Sequence, residues 1–305
     1  MSALTSRHLV LAAIGFGAGA VSAFLGIGGG ALMVPLLMIV LGVPFKEAVG
    51  TSLATVIVIS TIGVGVGLAL HHGNVQWPTV IVLTVGTLGG SWIGGRMLRA
   101  MPDRVLRIGF AGVLVLAGLR LVAAPAAAAS GAIVLDVASS PGHVVMVSLA
   151  GVIAGVTSVL FGLGGGVVIV PALLALFPDT SFAVIAATSL ATVIPTSLLS
   201  VVPHVKLGTI DRRLVARLAP LGVLGAVAGV LAGSTLPAWP CRLLFAIFLG
   251  FVVLRLLTGR RASAVQTPGD DMLPDVVALA AKLRALPEST LSEIHRIAAP
   301  ALQVP

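Results

Sequence analysis

Apolar residues run through this chain in blocks of about 20, the length at which a helix crosses the hydrocarbon core of a bilayer. The blocks lie at 48–70, 78–98, 104–124, 182–203, 214–233 and 237–257, with glycine, proline, hydroxyl and basic residues between them. Two longer apolar stretches, 9–42 and 143–177, are each interrupted by a glycine run, Gly26-Ile27-Gly28-Gly29-Gly30 and Gly162-Leu163-Gly164-Gly165-Gly166. Folding each of these stretches at its glycines gives a hairpin of two short helices. The pattern predicts an all-α polytopic membrane protein. Beyond Gly259 the chain turns polar, and 274–286 places Val276, Leu279, Ala280 and Leu283 on one helical face with Lys282 and Arg284 off it. Thr290 to Ala299 reads as a second short helix of this tail.

The two glycine runs belong to a longer duplication. Each continues to a Val-Pro pair, Val34-Pro35 and Val170-Pro171, and then to an identical pentapeptide, Thr51-Ser52-Leu53-Ala54-Thr55 and Thr188-Ser189-Leu190-Ala191-Thr192. The copies lie 136 residues apart at the glycines (26 to 162) and 137 at the hydroxyls (51 to 188), with Gly86 and Gly222, Gly89 and Gly225, and Gly73 and Gly208 following. Duplication within an apolar chain points to a transporter built of repeats. The division expected is a first repeat over 1–124, an external linker over 125–140, a second repeat over 141–258 and a cytoplasmic tail over 259–305. Each repeat is a glycine-broken hairpin plus three transmembrane helices. The stretch 9–25 behind Arg7 has the form of a signal peptide, but its partner at 145–161 assigns it to the mature fold.

Composition agrees: hydrophobic residues make up 58% of the chain and charged residues 9%, against about a quarter charged in soluble domains. The formal charge of +8 would suggest nucleic acid in a soluble protein, yet the basic residues gather at segment ends, as membrane orientation requires. The reading is therefore a lipid bilayer environment and no nucleic acid. In the first copy the basic loop is Arg96, Arg99, Arg104 and Arg107; in the second it comes one connection earlier, with Lys206, Arg212, Arg213 and Arg217. Corresponding loops thus carry opposite charge character, and the positive-inside rule makes the repeats inverted. All basic clusters and both termini then fall on the cytoplasmic side of a bacterial inner membrane.

Glycine at a hairpin tip suits backbone that must leave the helical path and let a ligand or another backbone come close. Tight helix packing is the simpler reason for such glycines. The substrate reading takes Gly28, Gly29, Gly30, Gly164, Gly165 and Gly166 as lining a central site. Thr51, Ser52, Thr55, Thr188, Ser189 and Thr192 join them as hydroxyls near a helix start, where unpaired amides favour an anion; helix capping and interhelical hydrogen bonding are the alternative. No carboxylate lies deep in a predicted span, which disfavours a metal-cation substrate. His71, His72 and His204 stand near segment ends, where an imidazole could carry a proton in cotransport or simply sit at the interface. Trp77, Trp92 and Trp239 fit interfacial anchors.

No cofactor is expected. The lone Cys241 excludes an intrachain disulfide, no metal constellation or acid–base set marks an enzyme, and neither glycine run is followed by the Lys-Ser or Lys-Thr of a nucleotide-binding loop.

With these residues in place the chain resembles the TauE/SafE family of membrane permeases. The resemblance rests on Gly26 to Pro35, Gly50 to Thr55, Gly73-Asn74-Val75, the glycines from Gly86 to Gly95 and the second-half copies, and covers about 8–258. It implies movement of small sulfur-containing anions, such as sulfite, sulfoacetate and other sulfonates, across the inner membrane. The second copy departs from the pattern with Ala187 before Thr188 and Pro195 within the next helix. The expectation is a permease working by alternating access, with a passive anion channel, or a scaffold for a cytoplasmic partner of the tail, as alternatives. A homo-oligomer is compatible with all three.

Overall fold

Six glycines set the architecture, because each sits where only glycine fits the backbone comfortably. In the computed structural model, Gly26, Gly28 and Gly29 have φ of 70°, 84° and 62°, and their copies Gly162, Gly164 and Gly165 have 73°, 67° and 86°. This left-handed region penalises any residue with a Cβ. The same three-residue rhythm breaks both long apolar stretches at the same place.

The structure describes residues 2–70, 75–123, 140–177, 180–235, 250 and 253–254. In order the helices are α1 (Ser2–Leu25), α2 (Gly30–Leu41), α3 (Phe45–Ala69), α4 (Trp77–Ala100), α5 (Asp103–Ala123), α6 (Pro141–Phe161), α7 (Gly166–Leu176), α8 (Phe182–Leu207) and α9 (Arg212–Thr235). Among the described residues there is no strand. Five of the helices, α3, α4, α6, α8 and α9, are long and apolar enough to cross a membrane. The expected span 237–257 and the whole tail, including 274–286 and Thr290 to Ala299, lie outside the described residues apart from 250 and 253–254.

Local signals explain the helix ends. Ser140 accepts a hydrogen bond from the Gly142 amide ahead of Pro141. Ser181 accepts from the Val184 amide, and the Asp211 carboxylate accepts from the amides of Arg213 and Leu214 at 2.7 and 3.1 Å. Gly42 and Gly208 end α2 and α8 in the left-handed conformation.

At two seams the helices pack through small residues, with large apolar residues on the outer faces. On α4, Gly86, Thr87, Gly90, Ser91 and Gly94 are buried, while Ile81, Val85, Leu88 and Trp92 are exposed on the other side. That polarity suits lipid, where association relies on close backbone contact and interhelical hydrogen bonds. A methyl group on Gly90 would overlap the Val152 carbonyl of α6, and one on Gly155 of α6 would come within 2.6 Å of the Thr87 carbonyl. The α1–α9 seam is built alike: Gly15 faces Leu218 and Gly222, Gly19 faces Gly222 and Ala226, and Gly229 faces Ala20. In both seams residue numbers rise together, so the paired helices run parallel. Each seam joins the opening helix of one half to the fourth helix of the other.

The equivalent helices α3 and α8 meet head to tail. Gly50, near the start of α3, lies against Thr209 past the end of α8, and Gln76, past the end of α3, bonds to Thr188 near the start of α8.

Replacing Gly90 by leucine should force α4 away from α6 and lower stability by about 1–3 kcal/mol or prevent folding. Gly89→Leu should be neutral, because nothing lies within 4 Å of a Cβ there; thermal melts of the two purified variants in detergent check the contrast.

Candidate functional site

Each tip is braced by the half of the chain that does not contain it. The Ser52 hydroxyl of α3 donates to the Gly162 carbonyl at 3.2 Å, and the Ser189 hydroxyl of α8 donates to the Gly26 carbonyl at 2.8 Å. These are the second residues of the two pentapeptides and the first glycines of the two tips. The first residues form another exchanged pair: Thr51 accepts from the Asp211 amide at 3.0 Å, and Thr188 accepts from the Gln76 amide at 3.1 Å. The last residues turn inward on their own helices, Thr55 donating to the Thr51 carbonyl and Thr192 to the Thr188 carbonyl, both at 2.9 Å. The duplicated pentapeptides thus bond in exchanged pairs, each half reaching into the other.

The tips also touch one another. A methyl group on Gly30 would overlap the Gly162 carbonyl, and one on Gly166 would meet the Ile27 and Gly26 carbonyls at 2.6 and 2.7 Å. Gly28 and Gly164 both lie against Val193 of α8. All twelve residues expected at the site, Gly28, Gly29, Gly30, Thr51, Ser52, Thr55 and Gly164, Gly165, Gly166, Thr188, Ser189, Thr192, are buried, and the hydroxyls among them all have protein partners.

One expectation is corrected. The pentapeptides do not open their helices, because α3 starts at Phe45 and α8 at Phe182, six residues before Thr51 and Thr188. Pro44 and the Ser181 cap set those starts, so the pentapeptide amides lie in the helix interior and their own helices offer no free amides there. The open helix ends are those of α2 and α7. Gly29 and Gly165 precede them with no side-chain cap, and among the described residues no acceptor pairs with the amides of Gly28, Gly29, Gly164 or Gly165. Free amides at the positive ends of two helices favour negative charge.

Four further hydroxyls lie on the helices that lead into or brace the tips. Ser22 on α1 and its copy Ser158 on α6, and Ser60 on α3 and its copy Ser197 on α8, are fully buried and lack a hydrogen-bond partner among the described residues. An unpaired buried hydroxyl costs about 1–3 kcal/mol. The Ser197 hydroxyl lies 3.1 Å from the Cβ position of Gly164, and the Ser22 Cβ 3.3 Å from that of Gly29. Their signal in the sequence is their repetition, at 136 residues for Ser22 and 137 for Ser60. Thr79 is also buried and unpartnered among the described residues, but Val215 stands at its position in the second copy.

Of the three histidines, His71 and His72 lie outside the described residues. His204 is buried in α8, with Nε2 2.9 Å from the Val159 carbonyl and Nδ1 2.9 Å from the Thr209 hydroxyl. Since a carbonyl only accepts, Nε2 carries the proton. The Val159 carbonyl stands in the last turn of α6, where the break at Gly162 deprives it of a helical partner. His204 thus binds the foot of the second tip to α8. Among the described residues, the buried polar side chains are serines and threonines with His204 alone besides, and no group of three or more His, Cys, Asp or Glu could hold a metal ion.

A family description, sulfite exporter TauE/SafE, matches residues 2–121 and 147–290. The chain is 31% identical over 178 residues to the probable membrane transporter protein MJ0441 of Methanocaldococcus jannaschii, covering 55% of this chain and 62% of that protein. It is 33% identical over 113 residues to the probable membrane transporter protein YunE of Bacillus subtilis, covering 36% and 40%. It is 29% identical over 128 residues to the probable membrane transporter protein MamO of Paramagnetospirillum magneticum, covering 39% and 20%. The chain thus spans less than two thirds of the length of each of these relatives. No solved structure matches. Matched through both glycine tips and both pentapeptides, this multi-pass membrane protein belongs to the sulfite exporter TauE/SafE family.

Proposed function

We propose that the protein is a secondary transporter moving a small sulfur-containing anion, such as sulfite, sulfoacetate or another sulfonate, by alternating exposure of a midplane site between two inverted repeats. The observation that carries this reading is the meeting of the two uncapped helix ends at the glycine tips, each tip latched by the opposite half. In broken-helix transporters, such half-helix N-termini point at anionic substrate groups. The family supplies the sulfur-anion class, and the relatives' names supply transport. The substrate meets the free amides of Gly28, Gly29, Gly164 and Gly165 beside Gly30 and Gly166, while Thr51, Ser52, Thr55, Thr188, Ser189 and Thr192 act through the position of the tips.

The antiparallel meeting of α3 with α8 supports inversion. Lys46 pairs with Asp103 at 3.4 Å and Thr51 with the Asp211 amide, so the start of α3 and the loops beginning α5 and α9 share one end of the molecule. That end carries Arg104, Arg107, Arg212, Arg213 and Arg217 and is cytoplasmic by the positive-inside rule. In a Cys241→Ser background, Arg104→Cys and Arg213→Cys should be labelled by an impermeant maleimide from the same side; labelling from opposite sides would refute the inversion.

Purified protein in vesicles should take up sulfite, thiosulfate, sulfoacetate or taurine with saturation and with acceleration by the same anion on the far side. Uptake that rises linearly with concentration and ignores the far side would mean a channel. Ser189→Ala should raise KM roughly fivefold or more, as expected for losing one hydrogen bond of about 1 kcal/mol that positions a tip. Ser189→Thr, which keeps the hydroxyl, should restore it.

A further inference from the structure

The helices that lead into and brace the tips carry hydroxyls without a partner among the described residues. Along one face of α8, Ser189 binds the Gly26 carbonyl, Val193 one turn later touches Gly28 and Gly164, and Ser197 a further turn on reaches the Gly164 tip. The face of α3 repeats this: Ser52 binds the Gly162 carbonyl, Val56 touches Gly164, and Ser60 follows at the same spacing. Ser22 stands on the last turn of α1, its backbone carbonyl taking the Gly26 amide at 2.9 Å and its Cβ facing Gly29, and the Ser158 carbonyl likewise takes the Gly162 amide at 2.8 Å. All four serines are fully buried, and none of their hydroxyls has a partner among the described residues. A serine within a membrane helix ordinarily donates to a carbonyl one turn back, as Thr55, Thr157, Thr192 and Thr196 do here. These serines do not, and they come in two copied pairs.

We propose that Ser22, Ser60, Ser158 and Ser197 are the hydroxyls that ligate the transported anion, donating to its oxygens together with the free amides of the two tips. The proposal rests on the transport reading above and names the residues that touch substrate. It also narrows the ligand. Because the buried polar side chains described here are serines and threonines besides His204, whose ring nitrogens are already engaged, the set offers O–H and N–H donors and no fixed charge. That suits a compact oxyanion whose oxygens all accept, such as sulfite or thiosulfate. It suits less well the ammonium group of a zwitterion such as taurine, for which the set holds no carboxylate.

The test measures the full-length protein twice over: the sulfite-induced rise in melting temperature, titrated to an apparent Kd, and sulfite uptake into vesicles. Ser22→Ala, Ser60→Ala, Ser158→Ala and Ser197→Ala should each weaken apparent affinity about tenfold or more, the loss of one hydrogen bond to a charged group. Thr79→Val, at the unpartnered hydroxyl that has no copy, should bind and transport sulfite like the parent protein. Where an alanine variant does not fold, the near-isosteric Ser→Cys, a weaker donor, should fold and show an intermediate loss. Taurine should bind at least tenfold more weakly than sulfite. Wild-type affinity in all four serine variants, with transport intact, would overturn this assignment and leave the transport reading standing. A parent protein that neither binds nor moves sulfite, thiosulfate, sulfoacetate or taurine would overturn the transport reading, and this assignment with it.

Discussion

A polypeptide that leaves the helical path inside a hydrophobic chain must find partners for its exposed carbonyls and amides within the protein, since lipid offers none. Here the requirement is met by exchange. The carbonyls of Gly26 and Gly162 are taken by Ser189 and Ser52 of the opposite halves, and each tip packs against the carbonyls of the other. Neither hairpin could hold this shape alone. The exchange makes the two halves one structure, and the helix seams follow from it, since α1 must leave its own half to pair with α9 and α6 must leave its half to pair with α4.

The same constraint shapes helix seams that differ from those of a soluble protein. Glycines, serines and threonines line the α4–α6 and α1–α9 seams beside a core of buried leucines, valines and phenylalanines, while many other leucines, isoleucines and valines point outward. Among apolar surroundings, burial of a leucine gains little, whereas close backbone approach gains dispersion and weak carbonyl contacts. Hydroxyls are the polar groups that this interior tolerates most readily, because each can bond back to its own helix. Thr55 and Thr192 do so, and Ser91 and Ser200 lie 3.4 Å apart across the α4–α8 contact. An unpaired serine stands out against that background.

Much of this is legible in the sequence, for a physical reason. Membrane helices are set by length and apolarity, so α4, α5, α8 and α9 begin and end within a few residues of the apolar blocks that announce them. The glycine runs are legible because left-handed backbone demands glycine, and duplication prints the demand twice. The pentapeptides are legible as a repeated unit, but not as to their place in the helix: Pro44 and Ser181 set the starts of α3 and α8, and a proline or serine before an apolar run is a quieter signal than a row of hydroxyls. What a linear reading misses is pairing. Nothing at Ser52 announces Gly162, 110 residues away, and single serines such as Ser22 and Ser60 are too common to notice until their copies and the folded partners of their neighbours are seen together. His204 is similar, since its role depends on the Val159 carbonyl that a distant glycine leaves unpaired.

The strength of the latches bears on how such a molecule would work. Ser52 to Gly162 and Ser189 to Gly26 are neutral hydrogen bonds, each worth about 1 kcal/mol net, and the amides around them are neutral donors. A buried ion pair at the same points would be costly to separate and would fix one arrangement. Carrier action needs two arrangements of nearly equal free energy, so that a ligand's modest differential affinity can bias them. Weak, exchanged latches meet that need. Each ties a tip of one half to a long helix of the other, so if one half tilts, the opposite tip must move with it or its bond must break. On the proposed reading, the link between a substrate at the tips and the rocking of the halves is therefore made by the hydrogen bonds that satisfy the broken backbone, and transport would use the same contacts that folding requires.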